Sequence, residues 1–252
     1  MKKTFLKSDK PMLTVMLQCR QPELAKKRIR KALELGADAF GLQVESLLPE
    51  YRTKEVVQDI FREMQGKPVY VTNYRKDKTS DADDEAVAAG LENLADWGAT
   101  LCDVMGDLFC KHPDELTDDP AAIQKQLELI DRLHSKGAEV LMSSHLKQFH
   151  TAEQILAIAL EQQRRGADVV KIVNGKSTME QQLENLRITH LLKENLKVPF
   201  LFLSGGECRI HRRIGGSLGC CMYLCVYEHD ELSTKNQPLL TAVKAFRDNM
   251  EL

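Results

Sequence analysis

Short apolar runs recur along the chain, separated by longer stretches with helical periodicity. The runs fall near 12–18, 38–44, 68–74, 99–105, 139–145, 168–173, 199–204 and 221–227. Each is nearly continuous rather than alternating, as from Val198 to Leu203, which is the pattern of parallel strands covered on both faces. Between them, Ile123, Leu127, Ile130 and Leu133 share one helical stripe, and Leu239, Val243 and Phe246 share another. Gly36-Ala37, Gly98-Ala99, Gly137-Ala138 and Gly166-Ala167 each close a helical pattern and open a strand, because glycine past a helix end takes a left-handed cap. Pro68 and Pro199 open two further strands. The spacing of these six starts, roughly thirty to forty residues, is that of one βα unit. Thr151 with Gln154 and Ser177 with Glu180 have the form of capping boxes. The pattern predicts an α/β chain forming a single (β/α)8 barrel domain over residues 1–252. An open doubly wound sheet is the alternative, since periodicity does not show closure. The charged stretch Lys76 to Glu85 reads as a solvated loop after the third strand.

Composition narrows the picture. A length of 252 residues suits one such barrel. With 37 acidic against 35 basic side chains and a net charge of −2, bulk charge gives no polyanion-binding surface. No apolar stretch approaches the length of a membrane span. Seven cysteines, an odd number without paired zinc spacing, and a Met1-Lys2-Lys3-Thr4 start without an apolar region lead to the cytoplasm as the expected address, with thiols reduced. Cys220, Cys221 and Cys225 read as small core residues. His112, His134, His190 and His229 have no partners at metal-ligand spacing, so no metal is expected. A dinucleotide fingerprint and a P-loop are both missing from the sequence.

In this fold, chemistry sits at the carboxyl ends of the strands. Lys171 interrupts Val169-Val170-Lys171-Ile172-Val173, and an ammonium buried there loses hydration and becomes a neutral amine able to attack a carbonyl. A lysine that snorkels or pairs with a carboxylate is the plainer alternative. His145 ends the fifth strand, and adjacent strands about 4.8 Å apart would let its imidazole reach Lys171 and move protons near neutral pH. Arg209, His211, Arg212 and Arg213 follow Ser204-Gly205-Gly206, where loops after strands seven and eight of barrels often hold anions. One inward arginine suffices for a small acid.

Val140-Leu141-Met142-Ser143-Ser144-His145, followed 26 residues after the histidine by Lys171, resembles the type I 3-dehydroquinate dehydratases across effectively the whole chain. Ser204 lies nine residues before Arg213, and Ser233 with Gln237 reproduces that family's Ser-x-x-x-Gln after strand eight. The resemblance implies a lyase of the shikimate pathway of aromatic amino acid biosynthesis. In it, Lys171 forms a Schiff base with 3-dehydroquinate and His145 is the general acid and base. Arg213 would hold the substrate carboxylate, and Ser204, Ser233 and Gln237 would contact the substrate. Thr72 and Arg75 approximate the family's Thr-x-Arg, Asp103 matches an acidic position, and no cofactor is implied. Departures lie in the amino-terminal half. Gln43 and Glu45 stand where the family has Glu-x-Arg, Met105 replaces a second acidic position, and the Glu-Gly-Gly whose glutamate orients the histidine has no clear equivalent. Asp81, Asp83, Asp84 or Glu85 could replace that glutamate only by a loop rearrangement. The implied partner is a small carboxylate-bearing ketone, with neither nucleic acid nor membrane involved, and a homodimer is left open. The rivals are a Schiff-base lyase or aldolase acting on another keto acid or a phosphorylated sugar, and a non-catalytic barrel that binds a small acid.

Overall fold

The four Gly-Ala pairs do punctuate the chain. Gly36, Gly98, Gly137 and Gly166 have φ of +84°, +115°, +73° and +95°, the left-handed region that lets a helix end and the chain turn back into the sheet. The structure is a computed structural model describing residues 4–77 and 80–249. Met1, Lys2 and Lys3 and the side chains of residues 76–81, Asp81 among them, lie outside the described residues.

Strands and helices alternate: β1 Met12–Leu17, α1 Pro22–Glu34, β2 Ala39–Gln43, α2 Lys54–Glu63, β3 Val69–Thr72, α3 Asp84–Trp97, β4 Leu101–Met105 and α4 Pro120–Ser135. There follow β5 Glu139–His145, α5 Ala152–Arg164, β6 Val169–Ser177, α6 Gln182–Asn195, β7 Phe200–Gly206, a short α7 His211–Ile214, β8 Met222–Cys225 and α8 Leu240–Asn249. The sheet order is β8-β1-β2-β3-β4-β5-β6-β7. The β8–β1 pair is parallel, from Met12 opposite Met222 to Val15 opposite Cys225. The last strand therefore lies beside the first, which excludes the open doubly wound sheet. At the β7–β8 seam the ladder gives way to single contacts. Cys221 N donates to Phe200 O at 2.9 Å, and the Cys220 thiol accepts from Phe202 N at 3.4 Å and donates to Phe202 O at 3.6 Å.

Two layers of apolar side chains follow from the period of two along each strand. Val57, Ile60, Leu91, Leu94, Leu129 and Leu133 pack between sheet and helices, while Met16, Tyr70, Leu101, Leu141 and Leu201 belong to the second cluster, with Phe5 bonded to Glu139 at the start of β5. Gly41 sits where a Cβ would lie 2.2 Å from Met16 Sδ and 3.1 Å from Tyr70 Cδ1. Its missing side chain makes room for the Tyr70 ring inside the barrel.

Two local expectations are corrected. The Thr151–Gln154 capping box forms, but the second box is Thr178 with Gln181, one residue beyond Ser177 with Glu180. Ser177 is instead the buried last residue of β6, its hydroxyl 3.0 Å from that of Ser204. The stretch from Lys76 to Glu85 is not wholly a solvated loop. Lys76–Asp77 pairs antiparallel with Ser80–Asp81, Asp83 caps α3 through Ala86 N, and Asp84 pairs with Arg75. These contacts are tertiary, and hydrophobic periodicity carries no signal for them.

Candidate active site

Strand register fixes which side chains share the lumen. Lys171 on β6 lies opposite Ser143 on β5, and His145 opposite Val173. Since residues two apart share a face, Lys171, Ser143 and His145 all point inward, while Ser144 turns outward to accept from Gln162 of α5 at 2.9 Å.

Lys171 is 4% exposed. Its Nζ donates at 2.9 Å to each of Tyr70 Oη, Tyr74 Oη and Asp103 Oδ2, so all three N–H directions are taken. The Asp103 carboxylate also accepts from Ser143 Oγ at 2.5 Å, Tyr74 Oη at 2.7 Å and Tyr70 Oη. Burial pushes the Asp103 carboxyl up, but the Lys171 charge and the hydroxyls of Ser143, Tyr70 and Tyr74 outweigh it and hold the group below the ordinary carboxylate value. Burial first, and the Asp103 charge second, push both phenols well above the tyrosine value. Of the two readings of Lys171 offered by the sequence, the structure replaces the unpaired amine by the plainer one, a lysine paired with a carboxylate, here Asp103. The physical reason is that a charge this deep requires a counter-charge and full hydrogen bonding.

His145 is held from the β4–α4 loop. Glu115 Oε2 accepts from His145 N at 2.8 Å and lies 2.9 Å from His145 Nδ1. Burial raises the Glu115 carboxyl, while the side-chain bond to His145 and its charge bring it net below the ordinary value. Ser144 Oγ donates to Glu115 O at 2.7 Å, fixing a residue whose φ of +45° is uncommon for a non-glycine. The acid that orients the histidine therefore comes from the loop after β4. Of the four alternatives read after strand three, Asp83 caps α3 and Asp84 pairs with Arg75. Glu85 pairs with Lys125, and the side chain of Asp81 lies outside the described residues. The Tyr74 ring packs edge-on against His145, with centroids 5.6 Å apart at 84°, so one tyrosine touches both lysine and histidine. A cavity of about 520 Å³ lined by Tyr74, Arg75, Met105, Asp107, Lys111, His112, Glu115, His145 and Lys147 opens above them.

The remaining sequence candidates are distributed around this centre. Arg75 lines the cavity, but Asp84, Asp107 Oδ1 at 2.7 Å and Asp107 O at 2.5 Å already take its guanidinium. Gln43 donates to Glu45 Oε1 at 3.3 Å, and Glu45, buried, also accepts from Thr72 Oγ1 at 2.8 Å. Ser204 is not brought to the lysine. Leu201 stands opposite Lys171, which sets Ser204 on the outward face, where Asn185 of α6 donates to it at 3.2 Å. Arg213 is exposed. Its neighbour Arg212 is buried, with Nε donating to Ser204 O at 2.9 Å, and burial alone lowers its guanidinium to about 10. Ser233 closes a turn on Asp230, accepting from its N at 2.9 Å. Gln237 is buried, and its Oε1 has no partner among the described residues. Thr234 ties the same loop to Gln18 at the end of β1. Among the described residues no group of three or more His, Cys, Asp or Glu could hold a metal ion, and no helix is long and apolar enough to cross a membrane.

Sequence reasoning missed Glu115, Tyr70 and Tyr74. Tyr70 was within reach, since the period of two sets it on the same face as Thr72. Nothing distinguishes Glu115 from Asp114 or Asp118 until the loop has folded.

Fold and site together define a (β/α)8 barrel with an inward amine and an inward imidazole on the neighbouring strands β5 and β6. The family model described as type I 3-dehydroquinase matches residues 13–242, and the chain belongs to that family. It is 32% identical over 92 residues to the 3-dehydroquinate dehydratase of Alkaliphilus oremlandii, a match spanning 36% of each chain. The fold is similar to that of the type I 3-dehydroquinate dehydratase from Clostridium difficile, solved with covalently modified comenic acid. The TM-score there is 0.78, with 16% identity and coverage of 97% of this chain and 96% of that one. It is also similar to the 3-dehydroquinate dehydratase from Geobacillus kaustophilus, with a TM-score of 0.80, 15% identity and coverage of 96% and 92%.

Proposed function

We propose that the chain dehydrates 3-dehydroquinate to 3-dehydroshikimate through an imine on Lys171. The observation that carries this reading is the shared lumenal face of Lys171 and His145, with Tyr74 against both. Lys171 condenses with the C3 ketone, and the iminium draws electrons from the adjacent C–H bond, which lowers the barrier to its deprotonation. His145, held by Glu115 through Nδ1 and its backbone N–H, removes the C2 proton and returns it to the departing C1 hydroxyl. The substrate carboxylate is held on the strand-seven side by Arg213, with Arg212 adding buried positive charge. The loop carrying Ser233 and Gln237 covers the substrate, and the Gln237 amide oxygen, buried and without a partner among the described residues, accepts from a substrate hydroxyl once the loop admits it. Gln43 and Arg75 line the opposite side, and Ser204 acts through Arg212 rather than by contact.

A second reading, a Schiff-base barrel acting on a different keto acid, is favoured by one observation. Glu45 puts a buried carboxylate at the end of β2, where the family resemblance called for a cation. Borohydride trapping separates the two. With 3-dehydroquinate, the proposed function requires a reduced adduct on Lys171, 3-dehydroshikimate released before quenching, and loss of both in Lys171→Ala. An adduct without turnover supports the second reading, and turnover surviving in Lys171→Ala refutes the imine route.

A further inference from the structure

The cavity that reaches His145 stops short of the lysine. Tyr74 and His145 line it, whereas Lys171, Asp103 and Tyr70 lie behind Tyr74. Of the three groups on Lys171 Nζ, Tyr74 alone among them faces the space a ketone would enter. Its hydroxyl accepts from Lys171 Nζ at 2.9 Å and donates to Asp103 Oδ2 at 2.7 Å, and Asp103 Oδ2 accepts from Nζ at 2.9 Å. Ammonium, carboxylate and phenol thus form a closed triangle with one corner open to substrate.

We propose that Tyr74 is a catalytic residue that carries protons between Asp103 and the ketone oxygen while Lys171 forms and hydrolyses its imine. The inference rests on the Schiff-base reading above and adds a residue to it. The Lys171 ammonium first passes one proton to the Asp103 carboxylate, freeing the Nζ electron pair. That pair bonds to the ketone carbon and the C=O π pair moves onto oxygen. The oxygen takes the Tyr74 phenolic proton, and Tyr74 is reprotonated by Asp103 across the bond already in place. The result is a carbinolamine with a charged secondary amine and Asp103 again ionised. Next, an amine proton goes to Asp103 and travels through Tyr74 to the carbinolamine hydroxyl. The C–O bond then breaks, water leaves with the bonding pair, and the nitrogen pair closes the C=N bond. The product is an iminium facing the Asp103 carboxylate, and the reverse sequence hydrolyses it. The phenol is suited to this relay because burial and the Asp103 charge keep it protonated at neutral pH. The division of labour is clear: His145, held by Glu115, serves the carbon-bound proton, and Tyr74 serves the oxygen at the imine carbon.

The test is rapid mixing with 3-dehydroquinate, borohydride quenching at intervals, and mass measurement of the Lys171 adduct. Tyr74→Phe keeps the ring against His145 and removes the hydroxyl. It should slow adduct formation about a hundredfold, the range for one positioned proton donor, and abolish the solvent isotope effect on that step. Trapping of Tyr74→Phe at the wild-type rate overturns the relay. Tyr70→Phe removes an equivalent bond to the lysine away from the cavity, so an equal slowing in that variant assigns the effect to the clamp and also overturns the relay. Should Tyr74→Phe fail to fold, the wild-type chain in heavy water answers instead: the relay makes proton transfer part of the slow step of imine formation, so trapping slows in heavy water, and an unchanged rate refutes the proposal. A wild-type chain that never forms the adduct refutes the Schiff-base reading together with the relay, whereas wild-type trapping matched by Tyr74→Phe refutes the relay alone.

Discussion

Replacing Asp103 by asparagine keeps the side-chain volume and removes one charge from the middle of the barrel. Lys171 Nζ and Asp103 Oδ2 lie 2.9 Å apart with side-chain exposures of 5% and 0%. At that separation and an effective dielectric near 20, the Coulomb attraction is ~6 kcal/mol. The asparagine carbonyl retains part of the hydrogen bonding, so the net loss expected is about 3–5 kcal/mol, as for other buried pairs broken by removing one partner. Urea unfolding at pH 7, comparing midpoints at unchanged slope, reads this directly. The difference also has a signed pH dependence. The Asp103 carboxyl is depressed below its ordinary value of 3.8, so its contribution is fully present above that pH and is lost as pH falls through the folded value. Wild type and variant should therefore converge in strong acid. A loss under about 1 kcal/mol at pH 7, the range of exposed pairs, refutes the assignment of Asp103 as the counter-charge of the lysine.

Two further outcomes follow from neighbouring observations. Glu115→Ala removes the acceptor of both His145 N and Nδ1. It should lower kcat about 10- to 100-fold, part of the worth of a positioned base, with KM little changed and the Lys171 adduct still trapped; an unaltered kcat would refute the positioning role. His211 is buried against Phe202, its Nε2 2.9 Å from Thr189 Oγ1, and burial lowers its imidazole from 6.5 to about 4. Between those values the unfolded chain binds a proton that the folded chain refuses, so stability falls as pH drops through that window, by roughly 3 kcal/mol in all. His211→Gln should flatten this slope in urea titrations at pH 7 and pH 4.5, and a slope that persists unchanged would place its source elsewhere.

The barrel was legible because its information is periodic and local. Eight continuous apolar runs and four helix-closing glycines fix the order of elements, and the inward pointing of Lys171 and His145 follows from the strand phase once register is known. What surrounds them was legible only in part: the sequence singles out Asp103, but not Glu115 or Tyr74. Lys171 meets Tyr70 and Tyr74 across separations of 101 and 97 residues, and Glu115 reaches His145 from a loop 30 residues away. The Glu115 and Tyr74 contacts depend on how loops close over a finished barrel, which no single-chain pattern encodes, whereas Tyr70 stands on β3 and only its partner across the lumen was hidden. The placement of Ser204 shows the same limit from the other side. Its spacing to Arg213 matches the family resemblance, yet the register with Leu201 and Lys171 turns it to α6.

The irregular joint between β7 and β8 gives the molecule an uneven mechanical character. Everything that grips the amine or the imidazole hangs from the arc β3 to β6 and the loops rising from it, and the rib where a thiol stands in for a regular ladder lies outside that arc, with β7 between it and β6. The segment bearing Arg212 and Arg213 joins the two strands of that rib, so the chain is tied to the barrel there by single bonds rather than by a regular ladder. The inward amine and imidazole thus stand on strands joined by a ladder, and the two arginines on the connection across a seam that lacks one.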